Sequence, residues 1–322
     1  MFSASDLDID PVRVSAEIQR ALRQQVLGRL RRRGIVLGLS GGIDSSVVAA
    51  LAAGALGPDR VLALLMPEQH SAPDSLRLGR AMAEALGIEA IVEDVSAPLE
   101  ALGCYSRQEE AIREIFPDYG PGWRCKVTLP SILDNERISV SRLTVADPSG
   151  EELSARMTAA SYRKLVAATN FKQRVRKMLE YYHADRLGYA VAGTPNRLEY
   201  DQGFFVKQGE GAADVKPIAH LYKTQVYAIA AELGVLPEIR ERPPTTDTFS
   251  LEQTQEEFYF SLPYHQMDLC LYALDHGVSA EETARAVDLR PDQIERIFAD
   301  IHRKRQVTSY LHMPPLMVES EG

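Results

Sequence analysis

Leu37-Gly38-Leu39-Ser40-Gly41-Gly42-Ile43-Asp44-Ser45-Ser46 is the stretch that decides how this chain folds. Residues 35–39 form a short apolar run bounded by glycines, the pattern of a buried strand. Residues 47–53 are apolar and alanine-rich, the pattern of a buried helix. Paired glycines between them let the backbone turn tightly and approach a ligand with no Cβ in the way. The N–H groups of a helix's first turn point outward, and its dipole favours an anion there. Ser40, Ser45 and Ser46 add hydroxyl groups. Gly38, Ser40, Gly41, Gly42, Ile43, Asp44, Ser45 and Ser46 therefore read as a phosphate cradle. It carries neither the Gly-Lys-Ser/Thr of a Walker loop nor Gly-x-Gly-x-x-Gly. Asp44 is the informative residue. A carboxylate among phosphate-binding amides repels phosphate unless a divalent cation lies between, so Asp44 predicts Mg²⁺ bridging to phosphate oxygens.

Outward from the loop, residues 61–66 read as a second strand stopped by Pro67, and 74–86 as a helix ended by Gly87. Residues 88–95 read as a third strand. Three strands with helical connections predict an α/β fold, a parallel sheet flanked by helices. A helical pattern over 12–30 precedes the first strand. Residues 161–187 read as a long helix rich in Arg and Lys, and 189–192 as a fourth strand. A polar loop then runs to about Pro217, a helix spans 220–233, and 242–247 is a rigid Pro-Pro loop. Residues 96–160 break the rhythm. There, Ile138, Val140, Leu143 and Val145 alternate with polar neighbours, and Asp147-Pro148-Ser149-Gly150 is a turn. The expectation is one domain over 1–322, with an insertion at 96–160 holding a β-hairpin or arm and a helical C-terminal part at 263–305.

Composition narrows the class. The chain has 322 residues, 45% hydrophobic and 25% charged, an ordinary globular profile. Its net charge of −9 disfavours a bulk nucleic-acid binder. Three cysteines make no disulfide framework and point to a reducing, cytoplasmic setting. No apolar run approaches the roughly 18 residues a membrane helix needs, and the acidic first residues lack a signal peptide's apolar stretch. Basic residues cluster at Arg29, Arg31, Arg32 and Arg33, at Lys172, Arg174, Arg176 and Lys177, and at Arg303, Lys304 and Arg305. Such clusters are either sites for small anions or solvated helix faces.

Ser40-Gly41-Gly42-x-Asp44-Ser45 resembles the pyrophosphate loop of the N-type ATP pyrophosphatases, which implies the adenine nucleotide alpha-hydrolase-like fold. Further residues sharpen the resemblance: Gly193-Thr194, Glu199, Gly203-Phe204-Phe205, Lys207, Gly209, Asp214, Pro217 and Lys223. With Arg174, Arg176 and Met178 before them and Pro244-Thr245-x-Asp247 after, they are similar in order and spacing to the ammonia-dependent NAD synthetases. The similarity covers 35–65 and 165–250. It implies ATP as co-substrate, Asp44 and Glu199 holding Mg²⁺, and Thr194, Lys223 and Thr245 contacting ATP. Arg174, Lys207 and Asp214 would bind deamido-NAD (nicotinic acid adenine dinucleotide), joined by Arg303 and Lys304 of His302-Arg303-Lys304-Arg305. It also implies a homodimer with deamido-NAD near the shared face. Two departures stand out. Pro195-Asn196 replaces the Asp-His of smaller members, and Leu64-Leu65-Met66-Pro67 lacks a basic residue the family places there.

The residue types suit such chemistry on their own terms. A carboxylate is a poor acceptor for ammonia because its oxygen leaves badly, whereas an acyl adenylate has a good leaving group. Pyrophosphate departs with charge that Mg²⁺ and lysine can neutralise. A glutamine-using enzyme would need an activated cysteine. None of the 34 residues before the first strand is Cys, Cys104 and Cys125 fall in the insertion, and Cys270 lies in an apolar helical stretch. Free ammonia is therefore the expected nitrogen source, which leaves a separate ammonia-supplying glutaminase open as a partner. Two other classes compete. One is an adenylating enzyme with the same loop acting on tRNA or another carboxylate, disfavoured by the acidic chain and the lack of a Cys-x-x-Cys pair. The other is a helix-turn-helix DNA binder, suggested by the capping box Ser279-Ala-Glu-Glu282 and by Pro291 at a second helix start. Against it, residues 292–300 carry three acidic side chains and one arginine.

Overall fold

A computed structural model describes residues 2–129, 141–245 and 249–318. In chain order the strands are β1 (Ile35–Gly38), β2 (Val61–Leu65), β3 (Glu89–Val92), β4 (Arg124–Thr128), β5 (Arg142–Ala146), β6 (Glu152–Arg156) and β7 (Ala190–Val191). The helices are α1 (Pro11–Arg23), α2 (Ile43–Leu56), α3 (Pro73–Leu86), α4 (Ser96–Ala101), α5 (Cys104–Arg113) and α6 (Ala159–Leu187). They continue with α7 (Arg197–Gln202), α8 (Lys223–Glu232), α9 (Pro237–Glu241), α10 (Tyr264–Asp275), α11 (Ala280–Val287) and α12 (Pro291–His312).

The main sheet is parallel, in the order β3-β2-β1-β7. Alternation along its central strands sorts the core onto two faces. Ile35, Leu37, Val61, Ala63 and Leu65 join the cluster formed with α1, α2, α3 and α8. Val36, Leu62, Leu64 and Val191 face the other way, against Ala184 of α6. Both faces are covered, which explains why these strands read as continuous apolar runs. The chain passes from β1 to β2 and β3 on one side and returns to β7 on the other. Ligands of such sheets bind at the strands' C-terminal ends where the order reverses. Here that point lies between β1 and β7.

Residues 96–160 differ from their expected content. They begin with two helices, α4 and α5, which the sequence pattern did not announce. They continue as a three-stranded antiparallel sheet, β4-β5-β6. The turn at 147–150 joins β5 to β6, with Asp147 Oδ1 accepting from Ser149 N at 2.8 Å and Glu151 N at 2.9 Å. Leu143 and Val145 are buried on β5 with Cys125, Val127 and Leu165. Ile138 and Val140 lie outside the described residues. The polar loop after β7 contains a short helix, α7, that carries Glu199. The C-terminal part is helical from Tyr264 as expected, and α10, α11 and α12 share a core of Met267, Leu271, Ile294, Ile297 and Ile301.

Candidate active site

The loop after β1 forms as its glycines dictate. Gly41 has φ +74°, and a Cβ there would stand 2.5 Å from the Ser75 carbonyl and 3.1 Å from Gly79 N, so only glycine fits. Gly42 caps α2. The Ser45 and Ser46 hydroxyls donate to the Gly42 carbonyl at 3.1 and 2.8 Å, and Ser40 N donates to Ser45 Oγ at 3.2 Å. These two serines thus shape the cradle, while Ser40 is exposed at its mouth.

Asp44, in the first turn of α2, is met by groups from two distant segments. Lys223 Nζ donates to Asp44 Oδ2. Asn196 Nδ2 donates to Asp44 Oδ1 at 3.1 Å. Asn196 is also the N-cap of α7, where it and Glu199 form a reciprocal box: Asn196 Oδ1 accepts from Glu199 N, and Glu199 Oε2 accepts from Asn196 N. The Pro195-Asn196 departure therefore has a role of its own, since one amide both caps α7 and ties it to Asp44. Gln255 Nε2 donates to the remaining Glu199 oxygen at 2.8 Å. Lys223 is 1% exposed, which excludes a solvated helix start.

The electrostatics follow from burial. Burial, then the neighbouring Asp44 charge, pushes the Glu199 carboxyl up to about 7. Burial opposes the Lys223 charge, but Asp44 and Glu199 hold its ammonium above the ordinary lysine range. A buried carboxylate, Glu199, and a half-buried one, Asp44, with one lysine suit a Mg²⁺ ion that takes one or two protein carboxylates and fills its other positions with phosphate oxygens and water. Among the described residues, no group of three or more His, Cys, Asp or Glu side chains gathers as a closed metal cage.

A cavity of about 370 Å³ opens over this cluster. Ser40, Gly42, Ile43, Asp44, Ser45, Thr194, Glu199 and Thr245 line it. Gly38 lines a smaller adjoining cavity with Thr194. Gly41 and Ser46 support the loop from behind, and Asp247 lies outside the described residues. The residues expected to bind the second substrate stand elsewhere. Arg174 is exposed, its Nε donating to the Lys207 carbonyl at 3.3 Å. Lys207 Nζ donates to the carbonyls of Tyr310, at 2.6 Å, and Met313, at 3.3 Å. Asp214 is exposed and accepts from Val191 N at 2.8 Å. Arg303 pairs with Asp300 at 2.5 Å. Lys304 turns inward to Asp300, at 2.9 Å, and to the Tyr259 carbonyl, at 2.8 Å.

Lys172 and Arg176, named in the sequence only as members of a basic cluster and, for Arg176, of the resemblance, line the cavity, and Arg176 Nε donates to the Met66 carbonyl at 3.1 Å. A cation from α6 thus stands at the end of β2, where the strand itself has none. The signal was available: residues four apart share a helix face, so Lys172 and Arg176 point together while Arg174 and Met178 point elsewhere. Met178 and Tyr182 are indeed exposed, at 60% and 59%. Glu210, Gln255, Phe258 and Tyr259 also line the cavity. Burial pushes the Glu210 carboxyl up to about 7, and its Oε2 is buried with no partner among the described residues. All three thiols are free and buried, and burial raises each: Cys104 to about 11, Cys270 to about 12, and Cys125 upward too. None has the depressed pKa of a nucleophile.

The sheet order, the glycine cradle and the clustered carboxylates define a PP-loop α/β protein. The profile of the NAD synthase family matches residues 14–115 and 135–308. The NH(3)-dependent NAD(+) synthetase of Mesorhizobium japonicum is 61% identical over 305 residues, covering 94% of this chain and 96% of that protein. Its namesake from Rhizobium meliloti is 59% identical over 319 residues, covering 99% and 95%. The solved NH3-dependent NAD synthetase from Campylobacter jejuni shares the fold, with a TM-score of 0.63 at 23% identity, covering 97% of this chain and all (100%) of that one. The chain belongs to the NAD synthase family, as the residues after β1 and β7 led one to expect.

Proposed function

We propose that this protein is a ligase that converts deamido-NAD to NAD with ammonia and ATP, releasing AMP and pyrophosphate. The observation that carries this reading is the cluster of half-buried Asp44 with buried Asn196, Glu199 and Lys223 at the N-terminus of α2, whose two carboxylates line a cavity of about 370 Å³. The first-turn amides of α2 and the Lys223 ammonium bind phosphate oxygens, and Thr194 and Thr245 bracket the nucleotide. Asp44 and Glu199 would hold Mg²⁺, which supplies charge neutralisation for the departing pyrophosphate. A carboxylate oxygen of deamido-NAD takes the adenylyl group as pyrophosphate leaves. Ammonia then adds to the acyl carbon, AMP departs with the oxygen, and a proton is lost. Arg176 provides positive potential at the cavity wall, whereas the Lys172 ammonium is balanced by buried Glu68 at 2.9 Å.

Arg174, Lys207, Asp214 and Arg303 lie outside the cavity lining, and on this reading they meet deamido-NAD at a face shared by two copies. The exposed Met178 and Tyr182 continue that face along α6. A homodimer is therefore part of this reading. A reducing cytoplasmic setting fits the three buried free thiols, and among the described residues no helix is long and apolar enough to cross a membrane. The experiment is incubation with ATP, Mg²⁺, deamido-NAD and ammonium, with NAD and AMP measured together. Equal amounts support the reading, and ADP in place of AMP would reject it.

A further inference from the structure

The NAD synthase profile skips residues 116–134, and β4 lies within that gap. The segment from 249 to 257 docks along β4. Leu251 N donates to the Cys125 carbonyl at 3.0 Å, and Cys125 N to Ser250 Oγ at 2.9 Å. Gln253 Nε2 donates to the Val127 carbonyl, and Leu129 N to the Glu257 carbonyl at 3.0 Å. Phe249 is buried with Cys125, Val127, Leu143 and Val145. At the near end, Gln255 N donates to the Pro244 carbonyl at 3.1 Å, and Thr245 bridges Thr254. Gln255 is thus fixed from both sides, and its amide reaches Glu199 Oε1 at 2.8 Å.

We propose that Gln255 is a positioning residue for the Glu199 carboxylate, and that β4 serves in part to hold it there. Glu199 has two oxygens to orient. Asn196 N fixes one within α7, and Gln255 fixes the other from outside α7. A neutral donor suits this place, since a cation would compete with a metal ion for the same oxygen. Partners that orient a ligating carboxylate typically change metal affinity by about 10- to 100-fold when removed. The inference rests on the proposed role of Glu199 toward Mg²⁺.

The test is Mn²⁺ binding, followed by electron paramagnetic resonance, to the full-length protein with a non-hydrolysable α,β-methylene analogue of ATP. Gln255→Ala should weaken Mn²⁺ affinity about tenfold, a larger fold-change than it makes in nucleotide affinity measured without metal. Gln255→Met keeps the bulk of the side chain and removes its donor. It should behave alike, and it answers the question should the alanine variant fold poorly. Gln253→Ala removes one of the bonds that hold the segment to β4 and should weaken Mn²⁺ binding in the same direction by a smaller factor. Glu199→Gln is the reference. Parental affinity in both Gln255 variants, with Glu199→Gln impaired, would overturn the inference and leave the metal role standing. Parental affinity in Glu199→Gln would overturn that role itself. Parental affinity in Gln253→Ala alone would remove the scaffold from the proposal.

Discussion

Asp44 meets three partners at once: the dipole of α2, the Lys223 ammonium and the Asn196 amide. Asp44→Asn keeps the shape and removes the charge. It should abolish AMP formation while leaving the circular dichroism spectrum of the parent, and parental turnover in that variant would take Asp44 out of the metal role. Arg174 is exposed and outside the cavity lining, and Arg174→Ala should raise KM for deamido-NAD more than KM for ATP, read from steady-state kinetics with each substrate varied. An equal rise for both would mean a shared or structural role. Glu210 offers a pH test. Its folded pKa, about 7, lies above the ordinary value of 4.5, so the folded protein holds an extra proton between the two. Its contribution to stability is full below the ordinary value and lost as pH rises through the folded one. Glu210→Gln should therefore flatten the fall in melting temperature across that window, as scanning calorimetry at several pH values can show. At this scale the sequence was most legible where chemistry constrains a residue type, as with Asp44, Glu199 and Lys223. It was least legible for Gln255 and Lys172, whose roles depend on partners far along the chain.

Among the elements, those with local punctuation were readable. The α3 helix ends at Gly87 with φ +66° and α6 at Gly188 with φ +66°, and the sequence marks both ends with glycine. Residues 96–160 were not, because their strands are five residues long and pair with segments that alternation alone cannot locate. The short α7 was hidden inside a polar loop for a different reason: a reciprocal side-chain box and tertiary packing hold it, not apolar periodicity. Its end gives an element-scale prediction. Gly203 has φ +74°, and a Cβ there would stand 2.3 Å from Thr308 Cβ of α12. Gly203→Ala should lower stability by about 2 kcal/mol or more, the left-handed conformation alone costing roughly 1–2 kcal/mol. Adding Thr308→Gly should restore only the steric part. Full additivity of the two changes in urea unfolding would show that the helices do not meet there.

At the scale of the whole molecule, the parallel sheet places the candidate site between β1 and β7, and the helical C-terminal part braces it. Arg305 bonds Asp201 of α7 at 2.8 Å and Asp275 of α10 at 2.7 Å, while Lys304 reaches the Tyr259 carbonyl. Three buried thiols offer no nucleophile for glutamine hydrolysis. The reactive nitrogen species is then NH₃, and the rate at fixed total ammonium should rise from about pH 7 towards about pH 9. The most direct measurement supplies the purified protein with ATP, Mg²⁺ and deamido-NAD, and either ammonium or glutamine as nitrogen source. NAD and AMP in equal amounts are expected with ammonium, and no NAD with glutamine. Glutamine-dependent NAD formation abolished by thiol alkylation, or no NAD with ammonium at any pH, would contradict this.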